Sequence, residues 1–227
     1  MTKAIPLLQA SSCDAKVSPA CDQLALIYEY SEHMEKDKEK AAQYKGKSCD
    51  SGNSYGCFVL GRDYLHGDDG VTKNGVKAAS LFQKGCDLDN VASCERLGDL
   101  YMEGEEGIEQ DTARAIELYE KIFSLQKNGC ENDKEPFACE SLGNTYKKGK
   151  IVPVDLAKSA AAYAMALAQW QHGCDSEDYI SCFGLARMYE EGEGVEKDDR
   201  QALQYYDKAC QQYYPGCLKK SLLGTSE

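Results

Sequence analysis

Twelve cysteines are the residues best placed to do chemistry in this 227-residue chain. They fall into six pairs: Cys13/Cys21, Cys49/Cys57, Cys86/Cys94, Cys130/Cys139, Cys174/Cys182 and Cys210/Cys217. The second member follows the first by eight residues in four pairs, nine in one and seven in one. Three chemistries are open to such pairs. Zinc sites use Cys-x2–4-Cys spacing or mixed Cys/His ligands, but there is no CxxC and the only histidines are His33, His66 and His172. Thiol exchange catalysts also use CxxC with one lowered thiol pKa. Structural disulfides remain, and they place the chain in an oxidising compartment. Twelve cysteines admit many connectivities; periodicity and short loops favour pairing between neighbours.

The cysteines also carry a period. Successive second cysteines advance by 36, 37, 45, 43 and 35 residues, the size of a helical repeat unit. Other residues recur with them. Cys57 is followed by Leu60, Gly61, Tyr64 and Gly67; Cys94 by Leu97, Gly98, Tyr101 and Gly104. Cys139 is followed by Leu142, Gly143, Tyr146 and Gly149, and Cys182 by Leu185, Ala186, Tyr189 and Gly192. A degenerate first copy has Cys21, Leu24, Ala25 and Tyr28.

The elements that position these residues follow from local pattern. Tyr55 to His66 has apolar residues at three- and four-residue steps, which predicts a helix. Glycine at Gly67 and Gly70 breaks it, and a second helix runs from about Asn74 to Cys86. The other copies follow this plan. Each cysteine pair then sits at a junction, closing one copy's second helix and opening the next copy's first. A link there staples the loop between copies and contributes about 2–3 kcal/mol on loop-entropy grounds. Gly61, Gly98, Gly143 and Ala186 share one position, where a short side chain lets the paired helix approach. Ile122–Gln126 and Ala160–Trp170 lengthen two second helices, and insertions in repeat arrays often mark a binding face. Trp170, the only tryptophan, reads as core rather than as an interface anchor.

Composition narrows the function. Net charge is −12, which argues against nucleic acid; it reads as a source of solubility, with an acidic surface for a basic protein or peptide partner as the sharper alternative. No run of apolar residues is long enough to span a membrane. The apolar stretch in Met1–Ala10 is too short for a signal-peptide core, so the reading is a mature periplasmic or secreted form with a new start methionine. No HExxH, GxSxG, P-loop or GxGxxG occurs. Asp87-Leu88-Asp89-Asn90 lacks the glycine and glutamate of a calcium loop, with Gly98 at its twelfth position. Ser124-Leu125-Gln126-Lys127 fits an SxxK motif but lacks its SDN and KTG companions. Acidic pairs such as Glu105/Glu106, Glu190/Glu191 and Asp198/Asp199 fall in turns and at helix starts, where they suit the helix dipole. His66 reads as an exposed helix-end residue. Neither a metal nor a cofactor is expected.

Cys57-Phe58-Val59-Leu60-Gly61, Tyr64, Gly67, Gly70-Val71 and Lys77-Ala78, repeated as Cys182, Leu185, Tyr189, Gly192-Glu193-Gly194-Val195 and Gln201-Ala202, resemble the Sel1-like repeats, relatives of the tetratricopeptide repeats. The staple spacing is similar to that of the cysteine-rich Sel1-like proteins of Helicobacter. The resemblance covers residues 13–217. It implies an all-α fold, a right-handed α/α superhelical solenoid stapled by disulfides. A single domain of about five repeats is expected (18–53, 54–90, 91–135, 136–178 and 179–217), with an N-terminal cap 1–17 and a C-terminal tail 218–227. It further implies a non-enzymatic scaffold or adaptor that binds a partner on the concave face lined by the first helices. Residues two before and two after each recurrent leucine then face that groove: Phe58, Arg62, Glu95, Asp99, Glu140, Asn144, Phe183 and Arg187. Family members also include immunity-type proteins that neutralise secreted effectors, and penicillin-binding proteins or weak β-lactamases. A β-lactam hydrolase is therefore the rival enzymatic reading, and a redox relay the third.

Overall fold

The computed structural model describes residues 13, 18–30, 37–68, 70–105 and 107–211. The expected cap 1–17 (apart from Cys13), the tail 218–227 and Cys217, the second member of the sixth cysteine pair, lie outside them. The described residues form ten helices and no named strand. They are α1 (Ser18–Tyr30), α2 (Lys38–Asp50), α3 (Ser54–His66), α4 (Gly75–Asp87) and α5 (Val91–Glu103). There follow α6 (Thr112–Glu131), α7 (Pro136–Lys148), α8 (Leu156–Asp175), α9 (Tyr179–Glu191) and α10 (Asp199–Cys210). Odd-numbered helices are the first of each copy and even-numbered ones the second. The chain divides into two compact units, residues 1–122 and 123–227. In the first, α1 packs on α2, α2 on α3, α3 on α4 and α4 on α5; in the second, α7 packs on α8, α8 on α9 and α9 on α10.

The same turn recurs inside all five copies. A short polar residue caps the second helix, and its backbone N–H donates to the carbonyl of the recurrent tyrosine: Asp37 to Tyr28, Asn74 to Tyr64, Asp111 to Tyr101, Asp155 to Tyr146 and Asp198 to Tyr189. The cap side chain accepts from the backbone three residues on, at Lys40, Lys77, Arg114, Lys158 and Gln201. This satisfies N–H groups that the first helical turn leaves open. In four copies that third residue is a cation lying over the same tyrosine: Lys40 on Tyr28, Lys77 on Tyr64, Arg114 on Tyr101 and Lys158 on Tyr146, 5.1–5.5 Å from the ring centres. The tyrosine thus fixes the turn through its carbonyl and holds the second helix through its ring. Gln201 takes the place of the cation in the last copy, and there Tyr189 stacks on Tyr205 instead.

The small residues do what their position suggests. A Cβ added at Gly61 would lie 2.7 Å from the Phe82 ring, at Gly98 2.9 Å from Tyr119, and at Gly143 2.9 Å from Tyr163. Ala186 is buried with Tyr206 in the fifth copy. In the second, third and fourth copies an aromatic of the second helix therefore packs closely on the backbone of its own first helix. The lengthened helices α6 and α8 have 20 residues against 13 in α2 and α4. Seven residues are about two helical turns, so the added segment keeps facing the same way.

Among the described residues, disulfides join Cys13–Cys21 at the start of the first copy and Cys49–Cys57, Cys86–Cys94, Cys130–Cys139 and Cys174–Cys182 between copies, with Cα atoms 4.5–4.8 Å apart. Such closeness leaves no room beside the sulfurs. At the four junctions between copies the residue preceding one cysteine meets the residue preceding the other, and one of the two is glycine: Ser48/Gly56, Gly85/Ser93, Gly129/Ala138 and Gly173/Ser181. The junction turn is also tight. Gly52, Asp89, Lys134 and Glu177 occupy its same position, all with φ between 56° and 91°. Three of the four carry a side chain in a conformation that costs about 1–2 kcal/mol outside glycine. The staple and the turn hydrogen bonds, such as Asn90 N–H to Gly85 O, hold them there.

The glycine–serine pairing predicts a rescue. Gly85→Ser sets its Cβ 2.3 Å from Ser93 Oγ and 2.8 Å from Ser93 Cβ, and overpacking of this kind costs about 1–3 kcal/mol. The exchange Gly85→Ser with Ser93→Gly restores most of that loss. Urea denaturation of the oxidised protein measures both. A double variant no more stable than the single one contradicts the pairing.

Candidate functional site

In the first unit, the first helices of consecutive copies, α1 and α3, flank a groove of about 310 Å³. Its walls are stripes spaced by one and two helical turns: Asp22, Leu26, Glu29 and Tyr30 from α1, and Tyr55, Val59 and Arg62 from α3. Residues at such spacing share one face of a helix. Leu26, Tyr30 and Tyr55 are 56%, 63% and 65% exposed, among the most solvent-open large hydrophobic side chains of the described residues.

The floor of this groove is polar. Lys45, from α2, is buried, and its ammonium lies 3.1 Å from Glu29 and 2.8 Å from the fully buried Asp63. Burial pulls the Lys45 pKa down, but Asp63 and Glu29 together more than offset it, leaving the group above its ordinary value and charged. Asp22 is tied down as well, with Ser48 donating to one oxygen and Asn53 to the other.

Lys45 belongs to a column of the repeat. It stands four residues before Cys49, as Phe82 stands before Cys86, Gln126 before Cys130 and Trp170 before Cys174. Asp63, Leu100, Thr145 and Met188 form the facing column, six residues after the second cysteine. Lys45 pairs with Asp63, Thr145 donates to Gln126 at 2.7 Å, Phe82 and Leu100 share one apolar cluster, and Trp170 and Met188 share another. Polar faces polar and apolar faces apolar at every described junction.

The second unit carries a different network. Glu140 is buried and accepts from the Trp170 ring N–H at 3.4 Å and from the Arg187 guanidinium, which also lies 3.6 Å from Glu191. Burial raises the Glu140 pKa above its ordinary 4.5, with Arg187 opposing the shift. Asn144 accepts from the Tyr163 hydroxyl at 3.0 Å. Trp170 is core, its ring packed on the backbone of Gly184 and edge-on to Phe137.

The eight residues expected in a groove are thus distributed. Arg62 lines the α1/α3 groove and is 52% exposed. Phe58 and Phe183 are half-buried and pack on aromatics of their own second helices, Phe82 and Tyr206. Asp99 is half-buried and accepts from the Tyr119 hydroxyl at 2.6 Å, while Glu95 is exposed. Glu140, Asn144 and Arg187 are committed to the network just described. Sequence reasoning did not single out Leu26, Tyr30, Tyr55 and Val59, nor the Glu29–Lys45–Asp63 triad. The triad had a signal: Asp63 and Lys45 are charged in columns where other copies are largely apolar. Ser124 and Lys127 are exposed on α6, as is His66 at the end of α3. Among the described residues, no three His, Cys, Asp or Glu side chains are grouped to hold a metal, and no helix is long and apolar enough to cross a membrane.

Two outcomes follow from these buried charges. Lys45→Met leaves Glu29 and Asp63 without their cation, and losing one partner of a buried pair costs about 3–5 kcal/mol. Adding Asp63→Leu, after the neighbouring Phe82/Leu100 pair, recovers part of it in denaturant titrations. At Glu140 the folded protein holds a proton more tightly than the unfolded chain, because the folded pKa is raised. The contribution of this group to stability therefore increases as pH falls from the raised value toward 4.5, and its ionisation costs stability above that window. Glu140→Gln removes this component, which a comparison of unfolding free energies across pH 4–7 detects.

The Sel1 repeat family model matches residues 18–53, 54–90, 91–125, 136–169 and 180–214. A search of curated proteins gives no match. Similar solved structures include a Sel1 repeat protein from Oxalobacter formigenes, 23% identical over 87% of this chain and 74% of that one, with a TM-score of 0.48. An immunity protein from Pseudomonas aeruginosa is 18% identical over 91% of this chain and 72% of its own, with a TM-score of 0.46. A protective antigen of uropathogenic Escherichia coli is 22% identical over 98% of this chain, which spans 52% of that one, with a TM-score of 0.44. Five matches of the family model, over most of the described helices, carry the assignment: this chain belongs to the Sel1 repeat family.

Proposed function

We propose that this protein is a non-enzymatic scaffold that binds a protein or peptide through the exposed face of its first helices, in the groove between α1 and α3. The observation that carries the reading is the cluster of Leu26, Tyr30 and Tyr55, each more than half exposed, around one concave site. Isolated apolar residues on a surface are ordinary, whereas grouped ones around a concavity mark interaction sites. Tyrosine and arginine are also the side chains that dominate binding energy at interfaces. The staples keep the groove formed before a partner arrives, which lowers the ordering cost of association. Net charge of −12 supports a partner of net positive charge, attracted over long range and with a salt-dependent association rate. The disulfides suit an oxidising compartment, and the reading places the protein in a periplasm or outside the cell.

Affinity capture with the oxidised protein, read by mass spectrometry, tests this. One partner is expected at stoichiometric yield, binding directly when purified. Leu26→Ser with Tyr55→Ala should weaken it at least tenfold while helicity by circular dichroism is unchanged. A partner held equally well by that double variant would place the binding surface elsewhere.

A further inference from the structure

We infer that the α1/α3 groove recognises a peptide segment in which a bulky apolar side chain lies next to a carboxylate side chain: the apolar group sits among Leu26, Tyr30, Tyr55 and Val59, and the carboxylate on the Arg62 guanidinium. This rests on the binding reading above and adds the chemistry of the occupant. Arg62 is the one charged side chain lining this groove that is open to solvent. Four ionisable groups line the groove besides its tyrosines: Asp22, Glu29, Lys45 and Arg62. Asp22 has both oxygens engaged by Ser48 and Asn53. Glu29 and Lys45 engage each other beneath the surface, and Lys45 has Asp63 on its other side.

Arg62 differs. It is 52% exposed, and its ion-pair contact with Asp63 Oδ1 is long, at 3.7 Å, well beyond the roughly 2.7–2.9 Å of a charge-assisted hydrogen bond. The other oxygen of Asp63 is on Lys45. Arg62 is thus the cation that the groove offers to an incoming group, and its planar fork matches a carboxylate in two-point contact. The groove volume of about 310 Å³ lies at the lower end of ligand-binding cavities, which run from about 300 to 1,000 Å³. That is room for an anchor side chain and its neighbour rather than for a folded domain. The long-range attraction of a cationic partner and this short-range contact are separable, since one acts on the approach and the other on the bound state.

A random dodecapeptide phage library panned on the oxidised protein tests the inference. The expected consensus has phenylalanine, leucine or tryptophan within two positions of aspartate or glutamate. In fluorescence polarisation the enriched peptide should bind at least tenfold more weakly to Arg62→Ala. It should lose as much when its own acid is replaced by the amide. Panning on Arg62→Glu should exchange the acid in the consensus for lysine or arginine. An apolar consensus without an acid, weakened by Leu26→Ser but indifferent to Arg62→Ala, overturns the inference and leaves the scaffold reading standing. A library that enriches nothing also overturns it, and affinity capture then decides the scaffold reading alone. Sedimentation of the protein without peptide closes the last alternative. Concentration-dependent dimers abolished by Arg62→Glu would make the occupant a second copy, which again overturns the peptide assignment.

Discussion

Two helix ends held with their Cα atoms about 4.5 Å apart set the terms for everything around them. At that distance the residues beside the cysteines have little room for two side chains, hence a glycine on one side or the other of the four junctions between copies. The connecting turn must then reverse within a few residues, hence the left-handed position at Gly52, Asp89, Lys134 and Glu177. With the ends pinned, the second helix of one copy is forced against the first helix of the next. The facing columns Lys45/Asp63, Phe82/Leu100, Gln126/Thr145 and Trp170/Met188 occupy that contact. The groove between α1 and α3 follows from the same constraint, because it is the space that remains between first helices whose bases are fixed.

The matched columns bear on specificity more than on stability. A buried lysine between two carboxylates is no better, in free energy, than a well-packed apolar pair. It does exclude wrong partners: Lys45 opposite Leu100, or Phe82 opposite Asp63, would bury an unpaired charge. Repeat chains are prone to misassembly because their units resemble one another. Here the copies differ at the position where confusing them would be most damaging.

The repeat period, the helix pairs, the role of the small residues and the positions of the cysteines could all be read from the sequence. Each is a local pattern repeated several times, and repetition separates signal from accident. The placement of Trp170 in the core was legible for the same reason. The groove was legible only in part. Arg62 was found by counting two residues from Leu60, but the same rule selected Phe58, which packs on Phe82. A first helix here is covered both by its own second helix and by that of the preceding copy. The strip left open runs through Tyr55, Val59 and Arg62. Its position depends on which neighbours cover the helix, and that is not contained in one helix's periodicity. The Lys45–Asp63 pair needed copies compared with each other rather than with a helical template.

The five described disulfides each span eight or nine residues, and the shortness of that span has a consequence for how the chain matures. From Cys57 the next cysteine along the chain is Cys86, more than three times farther than its partner Cys49. Loop-closure entropy alone favours the native choice by roughly 1 kcal/mol at each such decision. Native pairing is also the first pairing available as the polypeptide emerges, since both thiols of a staple appear together and before the next pair. Oxidation that proceeds from one end of the chain can therefore seal each bond before a competitor is in reach. The order of the cysteines along the chain thus works against scrambled pairing.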